Sequence, residues 1–257
     1  MDVTSATLPM IFFSVLLVAG CSTPAPLQGS VLFKEEFRVP DGLIASESNH
    51  ASRRWDVTSG TLFAKNGAGW TGPTGAAGIN SQVFRCVTKA RDFGDVQVDI
   101  DILNRGLVST RETPEETWDG IHTFLRYQSQ YKLYAATFNR RDGKAVIKKK
   151  IPGGDSNGGS YFELTSRRPH VVPYGRWQHI RATVFNRADG AVAIALYADG
   201  RLLIEGVDDG SQGGAPIRDP GRVGLRGDNA EFLFKDFTVR AFGAAPGNAQ
   251  ASVGSRT

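Results

Sequence analysis

The side chains best suited to moving a proton lie in one short stretch. In Trp118-Asp119-Gly120-Ile121-His122-Thr123-Phe124-Leu125-Arg126-Tyr127, His122 and Arg126 stand four apart. Residues four apart on a strand share a face, so this spacing sets an imidazole beside a guanidinium. Tyr134 falls on the next predicted strand, within reach of both. An imidazole or phenol can transfer the proton while a guanidinium stabilises an anion. A second pattern is Asp99-Ile100-Asp101-Ile102-Leu103-Asn104, in which Asp99 and Asp101 alternate onto one strand face. Two carboxyls about 5 Å apart suit retaining glycoside hydrolysis. Asn104, however, cannot serve as the proton donor.

Other residues suit binding. Trp55, Trp70, Trp118 and Tyr131 fall near predicted loops or strand ends, where aromatic faces can stack on sugars. Asn139, Arg140, Arg141 and His122 are the polar neighbours that would meet hydroxyls. Trp177 is expected in the core. Net charge is +4, and the one dense basic run is Lys148-Lys149-Lys150. That run reads as a solvated strand end, and it is too small a patch for a nucleic-acid partner. The sequence has no His/Cys cluster with zinc or iron spacing, no phosphate-cradling glycine loop and no G-x-S-x-G elbow.

Strands must position these residues. From Asp95 to Leu103, Val96, Val98, Ile100 and Ile102 alternate with Asp95, Gln97, Asp99 and Asp101, which predicts a strand with one face in the core. Asp142-Gly143, Asp189-Gly190 and Asp199-Gly200 each separate two strand-like runs and predict hairpins. No segment keeps a helical period. The thirty glycines and many short strands predict an all-β fold, a sandwich of two antiparallel sheets.

The N-terminus sets a location. Residues 8–21 read LPMIFFSVLLVAGC, and Val18-Ala19-Gly20-Cys21 resembles a lipobox. The resemblance implies cleavage before Cys21 and lipidation of that cysteine, although the preceding MDVTSAT carries Asp2 and no basic residue. Residues 1–20 are then a signal peptide, 21–30 a tether, 31–242 the folded domain and 243–257 a disordered tail. Localisation is expected to be extracytoplasmic, on a bacterial membrane. Of the two cysteines, Cys86 is left unpaired in an apolar run and reads as a small buried hydrophobe.

Four stretches resemble the concanavalin A-like lectin/glucanase superfamily: LFKEEF (32–37), YGRWQHIRATV (174–184), VAIALYADGRLLIE (192–205) and GRVGLRGDNAEFLFKDFTV (221–239). The last is similar to the closing strands of laminin-G-like and 3-keto-disaccharide hydrolase-like members. The resemblance implies a jelly roll spanning nearly all of residues 31–242. It also implies a possible structural Ca²⁺ between the first and last strands, held by Glu36 and Asp236; hard oxygen donors suit that ion. Family-16 hydrolases of this superfamily carry E-x-D-x-x-E, which Asp99, Asp101 and Asn104 match incompletely. Its polysaccharide lyases use a Tyr or His near an Arg, which would make His122, Arg126 and Tyr134 the catalytic set.

The expectation is therefore a membrane-anchored glycan-binding jelly roll without a complete catalytic set. The ligand contacts expected are Trp70, Trp118, Tyr131, Asn139, Arg140, Asp99 and Asp101. A lyase or hydrolase, and a protein-binding envelope or adhesion module, are the alternatives.

Overall fold

A computed structural model describes residues 29–73 and 83–242. Cys21, the signal, most of the tether and the C-terminal tail lie outside the described residues.

The alternation at Asp95–Leu103 does what its pattern requires. Val96, Val98, Ile100 and Ile102 are fully buried between two sheets, and the polar residues between them face outward. The nine-stranded sheet runs β15 (Arg201–Asp208), β14 (Val192–Ala198), β13 (Trp177–Asn186), β7 (Val96–Leu107), β17 (Ala230–Ala241), β5 (Ala68–Trp70), β4 (Thr61–Lys65) and β2 (Gly42–Ser46), with β1 (Val31–Glu35) added on β17. The eight-stranded sheet runs β11 (Gly159–Glu163), β10 (Lys144–Pro152), β9 (Lys132–Phe138), β8 (Gly120–Ser129), β16 (Arg222–Asp228), β6 (Arg85–Thr88) and β3 (Trp55–Ser59), with β12 (Arg168–Pro169) on β10. Every pairing is antiparallel, as in a jelly-roll sandwich. The three Asp-Gly hairpins form as predicted, joining β9 to β10, β13 to β14 and β14 to β15. At the last, Asp199 and Gly200 both take positive φ, 49° and 78°, the turn twist that suits a tight hairpin.

The core is one large cluster between the sheets, and Cys86 is buried in it as expected. Trp55 is also there, 1% exposed and edge-on to Phe33, Phe234 and Phe237. Its indole donates to Glu35. The tryptophan expectations are thus exchanged: Trp55 is core, whereas Trp177 is 36% exposed, with Lys235 Nζ 4.6 Å from its ring centre.

Two bulges decide where predicted site residues go. Against β16, β8 uses three steps from Phe124 to Tyr127 where its partner uses two, from Gly224 to Arg222. The extra residue is Arg126, at φ 47°, and a bulge of this kind changes which face later residues occupy. On β17, Lys235 pairs with Asp101 and Thr238 with Asp99, so Asp236 is the extra residue there, at φ 51°.

Candidate functional site: a cationic cleft

The outer face of the eight-stranded sheet is built in rows by the strand register. Arg85 on β6 lies opposite Arg226 on β16, Arg226 opposite His122 on β8, and His122 opposite Thr137 on β9. The next row places Val87, Gly224, Phe124, Ala135 and Lys148 side by side. Beyond it, Leu133, Lys150 and Tyr161 are neighbours on β9, β10 and β11. Val87, Phe124, Tyr127, Leu133 and Ala135 form an apolar cluster separate from the core. They form an apolar layer on this outer face. Next to it in the register, a cleft of about 440 Å³ is lined by Lys148, Lys150, Tyr161, Arg226, Arg140 and Trp118, among others.

The charges in this cleft are unbalanced. Arg226 Nε donates to Asp228 Oδ1 at 2.6 Å, and His122 Nε2 lies 3.0 Å from Asp228 Oδ2. A carboxylate only accepts, so His122 Nε2 carries the proton, and Nδ1 accepts from the Thr137 hydroxyl at 2.9 Å. Burial lowers the His122 pKa against the pull of Asp228, which keeps the ring neutral. Burial would raise the Asp228 pKa, but Arg226 and His122 outweigh it and hold the group well below the usual carboxylate range. With both nitrogens committed, His122 positions Asp228 and has no lone pair free to take a substrate proton.

Lys148, Lys150 and Arg85 have no carboxylate partner among the described residues. Arg85 is held by neutral oxygens, from Thr58 at 2.6 Å and Gln130 at 2.9 Å. Lys150 is 2% exposed, and its Nζ lies 4.9 Å from the Tyr161 ring centre; Lys148 Nζ lies 5.5 Å from the same ring. Burial, then Arg140, draws the Lys148 ammonium down to about 8. Burial, then Arg226 and Arg85, does the same to Lys150. Arg140 binds Asp142 through Nε and Nη2, but its Nη1 is buried at the cleft with no partner among the described residues. An unpaired buried cation is costly, so this arrangement calls for an anion.

The predicted catalytic set is not brought together. Arg126, turned by its bulge, is fully buried and donates to Asn186, Asp95 and the Ile217 carbonyl. Tyr134 faces the core, where its hydroxyl donates to Asp208 at 2.5 Å and accepts from Ile217 N. Of that set only His122 lines the cleft. Among the predicted ligand contacts, Arg140 and the 48% exposed Trp118 do line it, and Tyr131 stands at its edge with Lys150 Nζ 5.9 Å from its ring centre. Asn139 instead occupies a positive-φ turn position and accepts from His170 Nε2 at 2.9 Å. Asp99 and Asp101 do share a face, but on the other sheet, bridged by His179 at 3.2 and 2.9 Å. Trp70 is on that sheet too, bonded to Glu231 and beneath Lys65.

Of the pair expected to hold calcium, Glu36 is ion-paired and Asp236 is exposed. The Glu36 carboxylate is 2.7 Å from Lys34 Nζ and 3.2 Å from Arg38, and Asp236 is turned out to solvent by its bulge. Among the described residues, no group of three or more His, Cys, Asp or Glu could hold a metal ion.

Sequence reasoning missed Lys148, Lys150, Tyr161 and Arg226. The Lys148-Lys149-Lys150 run is no solvated end. Lys149 points between the sheets to Asp208, Nζ to Oδ2 2.9 Å with both side chains fully buried, and Lys148 and Lys150 point to the cleft. Period-2 alternation applied to the run itself would have separated them.

No protein-family model matches the chain, and none of the curated proteins does. Solved structures resemble it in fold. A Bacillus subtilis protein of unknown function with a galectin-like fold superposes with TM-score 0.54 at 13% identity, covering 84% of this chain and 98% of its own. The carbohydrate recognition domain of Emp46p, in metal-free form, gives 0.52 at 11% identity, covering 85% and 100%. An endo-1,3-β-glucanase from Streptomyces sioyaensis gives 0.50 at 16% identity, covering 85% and 98%. In fold, this chain is therefore an all-β, two-sheet jelly-roll sandwich like theirs.

Proposed function

We infer that the protein binds an acidic glycan in the cleft of the eight-stranded sheet and works outside the cytoplasm, anchored through a lipid on Cys21. The observation that carries the reading is the pair of lysines, Lys148 and Lys150, that line the cleft beside Tyr161 and Trp118 with no ion-pair partner among the described residues. A carboxylated or sulfated sugar meets both demands. Its anionic group takes the cations, and its C–H faces lie on Tyr161, Tyr131 and Trp118. Proteins named for recognising or acting on carbohydrates share the fold, and a saccharide ligand is in keeping with them. The lipobox-like Val18–Cys21 supports the anchor.

Titration calorimetry against polyuronates, sulfated glycans and neutral glucans tests the ligand class. Binding to acidic polymers and not to neutral glucans is expected; equal binding to neutral glucans sinks the reading. For the anchor, cells expressing the full chain should incorporate labelled fatty acid, and Cys21→Ala should abolish it.

A further inference from the structure

We propose that the cleft cleaves a 4-linked uronate polymer by β-elimination, with Lys150 as the base and the Tyr161 hydroxyl as the proton donor. This rests on the reading of the cleft as an acidic-glycan site and goes beyond it by naming a reaction. Lys150 and Tyr161 face each other directly across β10 and β11. The Lys150 amine is 2% exposed, forms no ion pair among the described residues, and sits 4.9 Å from the Tyr161 ring centre. The Tyr161 hydroxyl has no hydrogen-bond partner among the described residues and lines the cleft. A buried amine without an anion and a phenol without an acceptor, side by side over a cleft, have no structural task that requires either polar end.

Lys148 completes the set. It lines the cleft with its Nζ 5.5 Å from the Tyr161 ring centre, and it has no carboxylate partner among the described residues. A uronate carboxylate held by Lys148 has its charge neutralised, which acidifies the adjacent C5–H. Lys150, as the neutral amine, takes that proton. The C5–H electron pair forms the C4=C5 double bond, and the C4–O4 bond breaks with its pair going to O4. Tyr161 protonates O4, and the Lys150 ammonium returns a proton to the Tyr161 phenolate. The enzyme is restored, no water is consumed, and the products are a new reducing end and a 4,5-unsaturated uronate.

The groups around Lys150 fit a base of near-neutral strength. Arg226 on β16 and Arg85 on β6 disfavour its ammonium, Asp228 favours it, and burial draws it down to about 8. Lys148 on its own strand and the rings of Tyr131 and Tyr161 lie beside it. Burial raises the Tyr161 pKa, which keeps the phenol protonated as an acid must be.

The test follows unsaturated-uronate absorbance at about 235 nm, the mark of the conjugated product of base-promoted elimination. The full chain is incubated with polymannuronate, polyguluronate, polyglucuronate and polygalacturonate, with binding to each measured in parallel. Absorbance should appear with at least one polymer, and its kcat/KM should rise with pH through about 8, the value to which burial draws Lys150. Tyr161→Phe should cut the rate at least about 100-fold, the scale of one general acid, with affinity within about twofold. Lys150→Met should do the same to the rate, and Trp177→Ala on the opposite sheet should change nothing. Binding without absorbance on every polymer overturns the elimination and leaves the glycan reading standing. Absence of binding to any acidic polymer overturns both. New reducing ends without absorbance mean hydrolysis, and a Tyr161→Phe protein that turns over at the parent rate refutes the assigned acid.

Discussion

On the outer face of the nine-stranded sheet the charges answer one another; in the cleft of the eight-stranded sheet two lysines go unanswered. Asp99 accepts from Arg181 at 2.7 Å and from Gln97 at 2.6 Å, and His179 spans Asp99 and Asp101. Even the exposed Trp177 is covered by Lys235. Across the sandwich, Lys148 and Lys150 line a recess without an ion-pair partner among the described residues, its Asp228 being taken by Arg226 and His122. The sequence is polar and alternating on both faces. Function is marked by charge left unsatisfied where burial makes that expensive, and charge alone is a poor guide to it.

The sharpest way to break this contrast is to truncate one acid on each face. Asp228→Ala strands Arg226 and His122 in a nearly closed site, their acid's side chain being 16% exposed, and should cost about 3–5 kcal/mol. Asp101→Ala removes a more open pair, with His179 42% exposed, and should cost less than about 1 kcal/mol. Denaturant titration of both variants measures the difference, and equal losses would erase the contrast.

Next in size is ligand affinity. Lys148→Ala should weaken acidic-glycan binding at least about tenfold, which corresponds to about 1.4 kcal/mol for one lost charged contact. Lys235→Ala, on the other face, should leave it unchanged. Calorimetry reads both.

The two faces should also slope oppositely with pH. The folded pKa values of Lys148 and Lys150 are about 8, below the ordinary 10.5. The unfolded chain therefore binds more protons over that interval, and the cleft's contribution to stability rises from pH 8 toward 10.5. His179 is the reverse case: the Asp99 hydrogen bond raises its pKa above 6.5 despite burial. Its contribution is full below 6.5 and is lost as pH climbs through the raised value. Asp99 is held at about 2: burial opposes this, but His179 and Arg181 outweigh it. Its share is present above 3.8 and is lost as pH falls toward 2. Melting curves of Lys148→Met/Lys150→Met should lose the alkaline rise, and those of His179→Gln the decline above pH 6.5.

The smallest effect expected is none. A chelator should leave the melting temperature unchanged, because Glu36 already spends its carboxylate on Lys34 and Arg38. A ligand bound only by the folded state would make its removal visible.

The alternating strands and Asp-Gly hairpins were legible in the sequence because periodicity and turn chemistry are local. Residues 95–103 and 177–208 take the strands and turns their pattern requires. The cleft was half legible: Trp118, Tyr131, Arg140 and His122 were found, and its lysines were read as solvent-facing. What hid the rest is long-range. Whether a strand's polar face meets water or a recess depends on neighbours far along the chain; Tyr161 meets Lys150 through the β10–β11 pairing. Arg126 was placed wrongly by a single dihedral, and Trp55 and Trp177 were exchanged because flanking loop residues do not say which side of a sheet an aromatic takes.

That dihedral has a wider meaning. In strict alternation β8 would carry every even residue outward, and Tyr127 would enter the core. The one-residue insertion at Arg126 resets the phase, so that the same strand supplies an aromatic to the outer apolar layer and a guanidinium to the sandwich end. Neither neighbouring strand has to change. A lineage built on this architecture can therefore redraw its binding surface by gaining or losing single residues in one strand, while the hydrophobic interior that keeps it folded stays as it was.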